Sequence, residues 1–228
     1  MTAPRQPKML NWTIICDFDG TIAKQHVTQL LLERFARVEW KLIERSWQAG
    51  LLGSRECLRR QVGLLTMTQT HLNTVLHEIT MDPAFPAFVT RALAAGCDVR
   101  IASEGFDQVI RPLLARANVP PLRIAATYLL ASGYESWQLD CPFAERACRS
   151  GAATCKCALA VAAERAHRRV VLIGGGLSDT CVAHRADLVF ARGRLLDYCR
   201  EHEIEHEEAV DFSAVLRHLG LLFGPAVH

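Results

Sequence analysis

Five polar residues of this 228-residue chain have the types that phosphoryl transfer needs. They are Asp17, Asp19, Ser103, Lys156 and Asp179. Together they would provide a nucleophile, an acid and base, a hydrogen-bond donor, a fixed positive charge and a metal ligand. The Asp17–Asp19 pair alone is a weak signal, because Asp is also common in turns. The order of all five residues along the chain therefore indicates phosphoryl-transfer chemistry.

Apolar segments place four of these residues at the ends of predicted strands, whereas Lys156 lies at the start of a predicted helix. The strands are predicted at 12–16, 97–102, 122–126, 170–173 and 187–190. Helices are predicted at 83–96, from after Gly105 to 117, at 155–165 and at 212–219. The segment 129–154 is predicted to be irregular. Strands that alternate with helices predict an α/β fold with a doubly wound parallel sheet. In such a sheet ligands bind beyond the carboxyl ends of the strands, where the five residues would meet.

A long helical block separates the first two core strands. Apolar residues recur at three- and four-residue steps from His26 to about Ile79, which is the spacing of amphipathic helices. We therefore predict a helical cap inserted at 23–85 and an α/β core made of 10–22 and 86–220. Trp40, Trp47, Phe35 and Leu51 have two interpretations, packing within the cap or lining a substrate pocket, and packing is favoured.

Composition excludes several classes of protein. The chain carries 26 basic and 24 acidic side chains, and this near-neutral balance argues against an electrostatic nucleic-acid binder. No apolar run approaches the roughly 18 residues that a membrane span needs. The N-terminus lacks the apolar region of a signal peptide, so we expect a cytoplasmic protein. The nine cysteines are then expected to be thiols, with or without a metal.

The motifs resemble those of a known family. The segment Asp17-Phe-Asp-Gly-Thr-Ile22 resembles the first signature of the haloacid dehalogenase-like (HAD) phosphatases. Ile101–Asp107, Lys156 and Ile173–Asp179 are similar to the three later motifs, in the same order. Within the family the chain most resembles the phosphoserine-phosphatase-like branch. Inside that branch it is most similar to the group of methionine-salvage 2-hydroxy-3-keto-5-methylthiopentenyl-1-phosphate phosphatases, which also have cysteines before the motif lysine.

The resemblance implies a Mg²⁺-dependent phosphomonoesterase that acts on a small phosphorylated metabolite. Asp17 would attack phosphorus and become an aspartyl phosphate, while Asp19 would protonate the leaving alcohol and then activate water. The implied phosphate-binding residues are Ser103, Glu104, Gly105 and Lys156. The implied Mg²⁺ ligands are Asp17, Asp19 through its backbone carbonyl, and Asp179, since Mg²⁺ prefers oxygen donors.

One position departs from the family pattern. The last motif of the family usually reads Gly-Asp-Gly-x-x-Asp, and its first Asp binds the metal directly, but this chain has Gly175 there. Three outcomes are open: Asp179 moves inward, a water replaces the lost ligand, or the chain is not an efficient phosphatase. The alternative function is a catalytically weak HAD-fold protein that binds a phosphorylated ligand or a partner.

A cluster of cysteines surrounds the motif lysine. Cys141, Cys148, Cys155 and Cys157 lie within 17 residues around Lys156. Four thiolates could hold a structural Zn²⁺, but the spacing lacks the paired C-x₂-C of common zinc sites. Two interpretations follow, a zinc site and, favoured over it, reduced thiols in packing or loop positions.

Overall fold

A seven-stranded sheet forms the centre of the protein, as described by a computed structural model for residues 10–223. The strands are β1 (Trp12–Cys16), β2 (Asp98–Phe106), β3 (Arg123–Ala131), β4 (Trp137–Asp140), β5 (Arg169–Gly174), β6 (Leu188–Ala191) and β7 (His206–Glu208). Their order across the sheet is β4-β3-β2-β1-β5-β6-β7. The β3–β4 pair is antiparallel and every other neighbouring pair is parallel. The predicted doubly wound α/β fold is confirmed.

Helices cover both faces of the sheet. They are α1 (Val27–Phe35), α2 (Trp40–Gln48), α3 (Ser54–Val62), α4 (Gln69–Glu78), α5 (Phe85–Ala94), α6 (Asp107–Arg116), α7 (Lys156–Arg165), α8 (Thr180–Ala183), α9 (Gly193–Glu201) and α10 (Phe212–Phe223). Apolar residues of α5, α6 and α10 pack on one face, and those of α7, α8 and α9 pack on the other. Within residues 10–223 none of these helices has the length and apolar character needed to cross a membrane.

Burial on both faces explains the continuous apolar runs of the central strands. Successive side chains of a strand point to opposite faces. Ile14 therefore packs in the core on the α5 side, whereas Ile15 packs in the core on the α7 side. Val171 and Leu172 of the neighbouring strand β5 divide in the same way. The site described below stands on strands that are fixed from both sides.

Helices α1 to α4 form one continuous block between β1 and α5. The two connections of this block lie side by side, because Ala23 forms an antiparallel bridge with Met81. The Asp82 amide also donates to the Ile22 carbonyl at 2.8 Å. In this arrangement the helical block enters and leaves the core at one place, as an insert does. The cap boundaries of 23 and 85 stay a prediction.

Two of the predicted elements differ from the structure. Strand β2 continues four residues past Ala102, with an irregular register against β3 between Ala102 and Phe106. The segment predicted as irregular contains the end of β3 and all of β4. Trp137 of β4 is buried, and its indole N–H donates to the Met67 carbonyl at 2.8 Å. Trp137, together with the Met67 amide that donates to the Glu135 carbonyl at 3.1 Å, ties this short hairpin to the chain that follows α3.

Candidate active site

The carboxyl ends of β1, β2 and β5 open into a cavity of about 740 Å³ beneath the cap helices. The predicted site residues that line it are Asp17, Asp19, Ser103, Glu104 and Gly105. Gly175 and Ser178, which follow β5, line it as well. The predicted residues Lys156 and Asp179 are buried behind this surface and contact Asp17 or each other. The structure thus brings all predicted site residues to one place, in two layers.

Lys156 forms the centre of the buried layer. Its side chain is inaccessible to solvent, and its Nζ atom donates to Asp17 Oδ1 at 2.9 Å and to Asp179 Oδ1 at 2.5 Å. Burial alone would lower the pKa of an ammonium group, but the two carboxylates raise the pKa of Lys156 above its ordinary value. The lysine is therefore a fixed positive charge beneath the cavity.

Asp17 is the carboxylate nearest to this charge. It comes directly after β1, and its backbone amide donates to the Ile173 carbonyl at 2.9 Å, which fixes the start of the turn. Burial raises the pKa of Asp17 to about 7, Lys156 opposes that rise, and the Asp179 charge adds to it. A further positive charge at the cavity would lower this pKa and favour the ionised carboxylate.

Asp19 is oriented by the first turn of the cap. Its Oδ2 atom accepts hydrogen bonds from the Thr28 amide at 3.4 Å and the Thr28 hydroxyl at 3.2 Å. Burial raises the pKa of Asp19, and the Thr28 hydrogen bonds oppose the rise. A raised pKa suits a carboxyl group that donates a proton near neutral pH. Thr28 was missed by sequence reasoning, and its position in the first turn of α1 is the signal that could have found it.

Two glycines allow the close contacts of this site. Gly20 has a positive φ of 67°, and a Cβ atom there would lie 2.4 Å from the His26 ring. At Gly105 a Cβ atom would lie 3.4 Å from Asp19 Oδ2 and 3.2 Å from the Ser103 hydroxyl. The Gly105 amide donates to that hydroxyl at 3.0 Å. The buried Ser103 hydroxyl is thus oriented next to Asp19, where the sequence places a phosphate contact.

The Glu104 side chain links the core to the cap. Its Oε1 atom accepts a hydrogen bond from the Ser54 hydroxyl at 2.5 Å and one from the Ala153 amide at 2.8 Å. An anionic side chain repels a phosphate, so a phosphate contact from Glu104 would have to come from its backbone. Ser54 is the first residue of α3, so this contact joins the start of a cap helix to the end of a core strand.

Asp179 points away from the cavity. Its Oδ2 atom accepts hydrogen bonds from the amides of Gly175 and Gly176, both at 3.0 Å, while Oδ1 binds Lys156. The side chain is completely buried and both of its oxygens are occupied. Of the three outcomes that the sequence left open at Gly175, the structure does not show the inward movement of Asp179.

The donors at the cavity fit a loosely held magnesium ion. Within residues 10–223 no three His, Cys, Asp or Glu side chains are grouped as a metal-binding set. Asp17 and Asp19 both line the cavity, however, and Gly175 leaves the third position without a side chain. Mg²⁺ commonly keeps several waters and takes only one or two carboxylates plus a substrate phosphate. The Asp17 carboxylate and the Asp19 backbone carbonyl are therefore the protein donors that would hold such an ion.

The four cysteines considered for zinc are not assembled. Cys148, Cys155 and Cys157 line a second cavity, together with Cys181, whereas Cys141 is not among its lining residues. The Cys157 thiol contacts Cys181 Sγ at 3.3 Å. The four cysteines considered for zinc thus do not form one group, because Cys157 lies toward α8 and contacts Cys181.

The cap aromatic residues divide between the two interpretations. Trp40 and Trp47 line the active-site cavity, and His26 lines it as well. Phe35 instead stacks on the His71 ring at 5.0 Å, and Leu51 is exposed. Two tryptophans therefore add apolar surface to a cap side that also carries charged residues, among them Lys41 and Arg45.

Asp17 and Asp19 at the end of β1, with a buried lysine behind Asp17, define an enzyme of the phosphoryl-transfer class. A model of the haloacid dehalogenase-like hydrolase family matches residues 14–184. The chain belongs to that family, as its motifs predicted.

Individual relatives agree with this assignment. The chain is 30% identical over 210 residues to the 2-hydroxy-3-keto-5-methylthiopentenyl-1-phosphate phosphatase of an Exiguobacterium strain. The matched region covers 90% of this chain and 96% of that protein. It is 27% identical over 209 residues to the protein of the same name from Brevibacillus brevis, covering 90% and 93%. A solved substrate-bound phosphoserine phosphatase is similar in fold, with a TM-score of 0.69, 19% identity and coverage of 91% and 98%. The branch and group that the motifs predicted are confirmed.

Proposed function

We propose that the chain is a Mg²⁺-dependent phosphomonoesterase that hydrolyses a small phosphorylated metabolite through an aspartyl phosphate on Asp17. One observation carries the proposal: Asp17 lines the cavity while Lys156 holds its Oδ1 atom at 2.9 Å from below. The carboxylate is thus fixed in orientation, and Asp19, two residues further on, lies at the same cavity. Fixing a nucleophile beside an acid lowers the entropic part of the barrier.

The chemistry proceeds in two steps. In the first, an oxygen of Asp17 forms a bond to phosphorus while the bond from phosphorus to the substrate oxygen breaks, and Asp19 gives its proton to the leaving alcohol. In the second, Asp19 takes a proton from a water molecule, and that water attacks phosphorus. Inorganic phosphate leaves, and the Asp17 carboxylate is restored.

The remaining site residues hold the phosphoryl group. Lys156 supplies positive charge from behind Asp17, and the Ser103 hydroxyl and the Gly105 backbone are neutral groups at the cavity. Asp17 and Asp19 would hold Mg²⁺, which when bound supplies charge neutralisation for the phosphoryl oxygens. Fixed charges of this kind stabilise the transition state most effectively where water is excluded, beneath a closed cap.

We further propose a substrate of the methionine-salvage type. The names of the relatives give 2-hydroxy-3-keto-5-methylthiopentenyl-1-phosphate, a small phosphate ester with a thioether tail. Trp40 and Trp47 at the cap side of the cavity support this choice, because sulfur and apolar chains pack well on aromatic rings. All nine cysteines are free thiols, which supports a reducing compartment such as the cytoplasm.

The test measures hydrolysis of an aryl phosphate and of the methionine-salvage phosphate, with Mg²⁺ titrated. Asp17→Asn should abolish turnover, and Asp19→Asn should lower it by about 100-fold or more, because a proton-transfer group contributes that much. Asp140→Asn is the matched control, since Asp140 is exposed on β4. Two results together would falsify the mechanism: a wild-type protein that keeps its turnover in EDTA, and an Asp17→Asn variant that turns over as fast as the wild type.

A second candidate function rests on Gly175. Because Asp179 is bound to Lys156 and two amides, a protein with one metal carboxylate fewer could bind phosphate esters without rapid turnover. The discriminating measurement is Mg²⁺-dependent binding of beryllium fluoride, a mimic of the aspartyl phosphate. Binding together with turnover favours the phosphatase, and the absence of both favours the weak binder.

Placing an aspartate at position 175 tests whether the missing carboxylate limits Mg²⁺ binding, and so helps to distinguish the phosphatase from the weak binder. A Cβ atom at Gly175 would lie 2.8 Å from Arg192 Cγ, so Gly175→Asp must displace the Arg192 side chain. We expect the double variant Gly175→Asp/Arg192→Ala to need less Mg²⁺ for half-maximal turnover than Gly175→Ala/Arg192→Ala. The matched alanine pair has the same packing without the carboxylate. Equal Mg²⁺ requirements would show that this position does not contribute to metal binding.

A further inference from the structure

A second cavity, of about 1100 Å³, lies behind the active site and contains thiols that the phosphatase mechanism does not use. Its cysteines are Cys148, Cys155, Cys157 and Cys181. Three arginines, a histidine and one acidic residue also line it, namely Arg149, Arg165, Arg185, His184 and Glu145. Partly accessible cysteines in a positively charged environment are the type that reacts with oxidants. Two such thiols can form a disulfide only where their sulfur atoms lie close together.

Cys157 and Cys181 are a pair of thiols in direct contact in this cavity. Their Sγ atoms are 3.3 Å apart, with the Cys157 thiol donating to Cys181. Both side chains are half-buried, so neither is sealed from small molecules in the cavity. A disulfide has an S–S length of about 2.0 Å, so the two atoms must approach by little more than an ångström.

The position of this pair links it to the catalytic centre. Cys157 directly follows Lys156 at the start of α7, and Cys181 lies two residues after Asp179 in α8. Lys156 and Asp179 are themselves joined at 2.5 Å. The same two helix starts therefore carry an ion pair that faces Asp17 and a thiol pair that faces the second cavity.

We propose that Cys157 and Cys181 are a modification site, at which a peroxide forms a reversible disulfide that lowers the activity of the phosphate site. One thiol attacks the peroxide, breaks its O–O bond and becomes a sulfenic acid, with release of an alcohol or water. The second thiol then attacks that sulfur, the S–S bond forms and water leaves. Two electrons pass from the thiols to the peroxide, and a thiol reductant reverses the reaction.

The disulfide lowers activity by moving Lys156. Closing the S–S bond draws the starts of α7 and α8 together, and Lys156 Nζ moves relative to Asp17. A displacement of about 1 Å at a reacting group can lower the rate by about 100-fold. We expect kcat/KM of the oxidised protein to fall by about 10- to 100-fold and to recover after dithiothreitol.

Trypsin places each of the four thiols in a separate peptide, so that the pairing can be assigned by mass spectrometry. The peptides are 147–149, 150–156, 157–165 and 170–185. The reduced full-length chain is treated with hydrogen peroxide, its free thiols are blocked with N-ethylmaleimide, and it is digested. We expect a cross-linked 157–165/170–185 species from the monomer, which disappears after dithiothreitol.

Variants separate the modification from general oxidative damage. Cys157→Ser and Cys181→Ser should each lose the cross-link and keep their activity in peroxide, while the control Cys141→Ser should behave like the wild type. Three results would overturn the proposal. N-ethylmaleimide could label Cys157 and Cys181 separately after peroxide, the cross-link could instead join peptides 147–149 and 150–156, or cross-links could occur only in dimers. A complete disulfide with unchanged turnover would overturn the regulatory part. Because the cross-link is read without any assay of turnover, failure of the proposed phosphatase activity remains distinguishable.

Discussion

The two sides of the active-site cavity are built in opposite ways. On the core side Lys156, Asp17 and Asp179 are buried, and each charge has a partner within 3 Å. On the cap side Lys41 and Arg45 are exposed, and Trp47 is half-buried. The core side fixes a small set of charges for one chemistry, whereas the cap side offers contacts that solvent also reaches. The comparison indicates that reaction type and substrate choice belong to separate parts of the chain.

The largest expected effect comes from removing the central charge of the core side. Lys156→Met leaves Asp17 and Asp179 buried without their cation, and breaking a buried ion pair costs about 3–5 kcal/mol in the free energy of unfolding. Loss of the fixed positive charge behind Asp17 should also lower kcat by about 100- to 1000-fold. Urea unfolding and aryl phosphate turnover measure the two effects separately.

Lys24→Met is the matched control for this experiment. Lys24 is exposed next to the first motif, so its replacement should change neither the stability nor the turnover. If both variants have the stability of the wild type, the core side does not depend on its buried charges, and the contrast between the two sides is wrong.

Asp17, in the same buried layer, should make the stability of the protein depend on pH. Burial raises the pKa of Asp17 from 3.8 to about 7, so the folded protein retains a proton that the unfolded chain loses. The contribution of this group to stability is therefore fully present below about pH 4 and is lost as the pH rises to about 7. Without divalent metal, Asp17→Asn should gain stability relative to the wild type over that range.

Urea unfolding of both proteins at several pH values measures this difference. Asp140→Asn, an exposed carboxylate on β4, should show no such trend. A difference between Asp17→Asn and the wild type that is the same at pH 4 and pH 8 would mean that Asp17 is ionised throughout.

A smaller effect is expected where the two sides meet. Ser54→Ala removes the hydroxyl that donates to Glu104 at 2.5 Å. A hydrogen bond to a charged group contributes about 1.5–3 kcal/mol, but the Ala153 amide remains bound to the carboxylate. We expect kcat/KM to fall by about 10-fold, at the low end of that range, because the cap closes less firmly over the substrate.

Ser46→Ala provides the comparison for the cap helices. The Ser46 hydroxyl donates only to the Leu42 carbonyl of its own helix, so its removal should leave kcat/KM within about twofold, as for most surface substitutions. If Ser54→Ala behaves in the same way, the Glu104 contact does not control closure of the cap.

The same contrast explains how much was predictable from the sequence. Asp17, Asp19 and Lys156 were found because strand ends and motif order determine where such residues meet. The Ser54–Glu104 contact was not found, because its partners lie 50 residues apart and no local pattern joins them. The Cys157–Cys181 pair was missed for the same reason, since Cys181 lies outside the cysteine-rich segment. Packing between segments, rather than local sequence, determines these contacts.

The smallest effect is expected from Trp47, a half-buried residue on the cap side of the cavity. Trp47→Leu keeps an apolar side chain but removes about 40 Å² of contact, which at roughly 25 cal/mol per Å² is ~1 kcal/mol. That energy corresponds to a rise of about fivefold in KM for the methionine-salvage phosphate, with kcat unchanged. Inorganic phosphate, which is too small to reach the cap, should inhibit both proteins equally. Trp12→Leu, which replaces a tryptophan of β1 outside the cavity, is the control. If kcat falls and KM does not change, the cap acts in the chemical step, and reaction type and substrate choice are not separate in this chain.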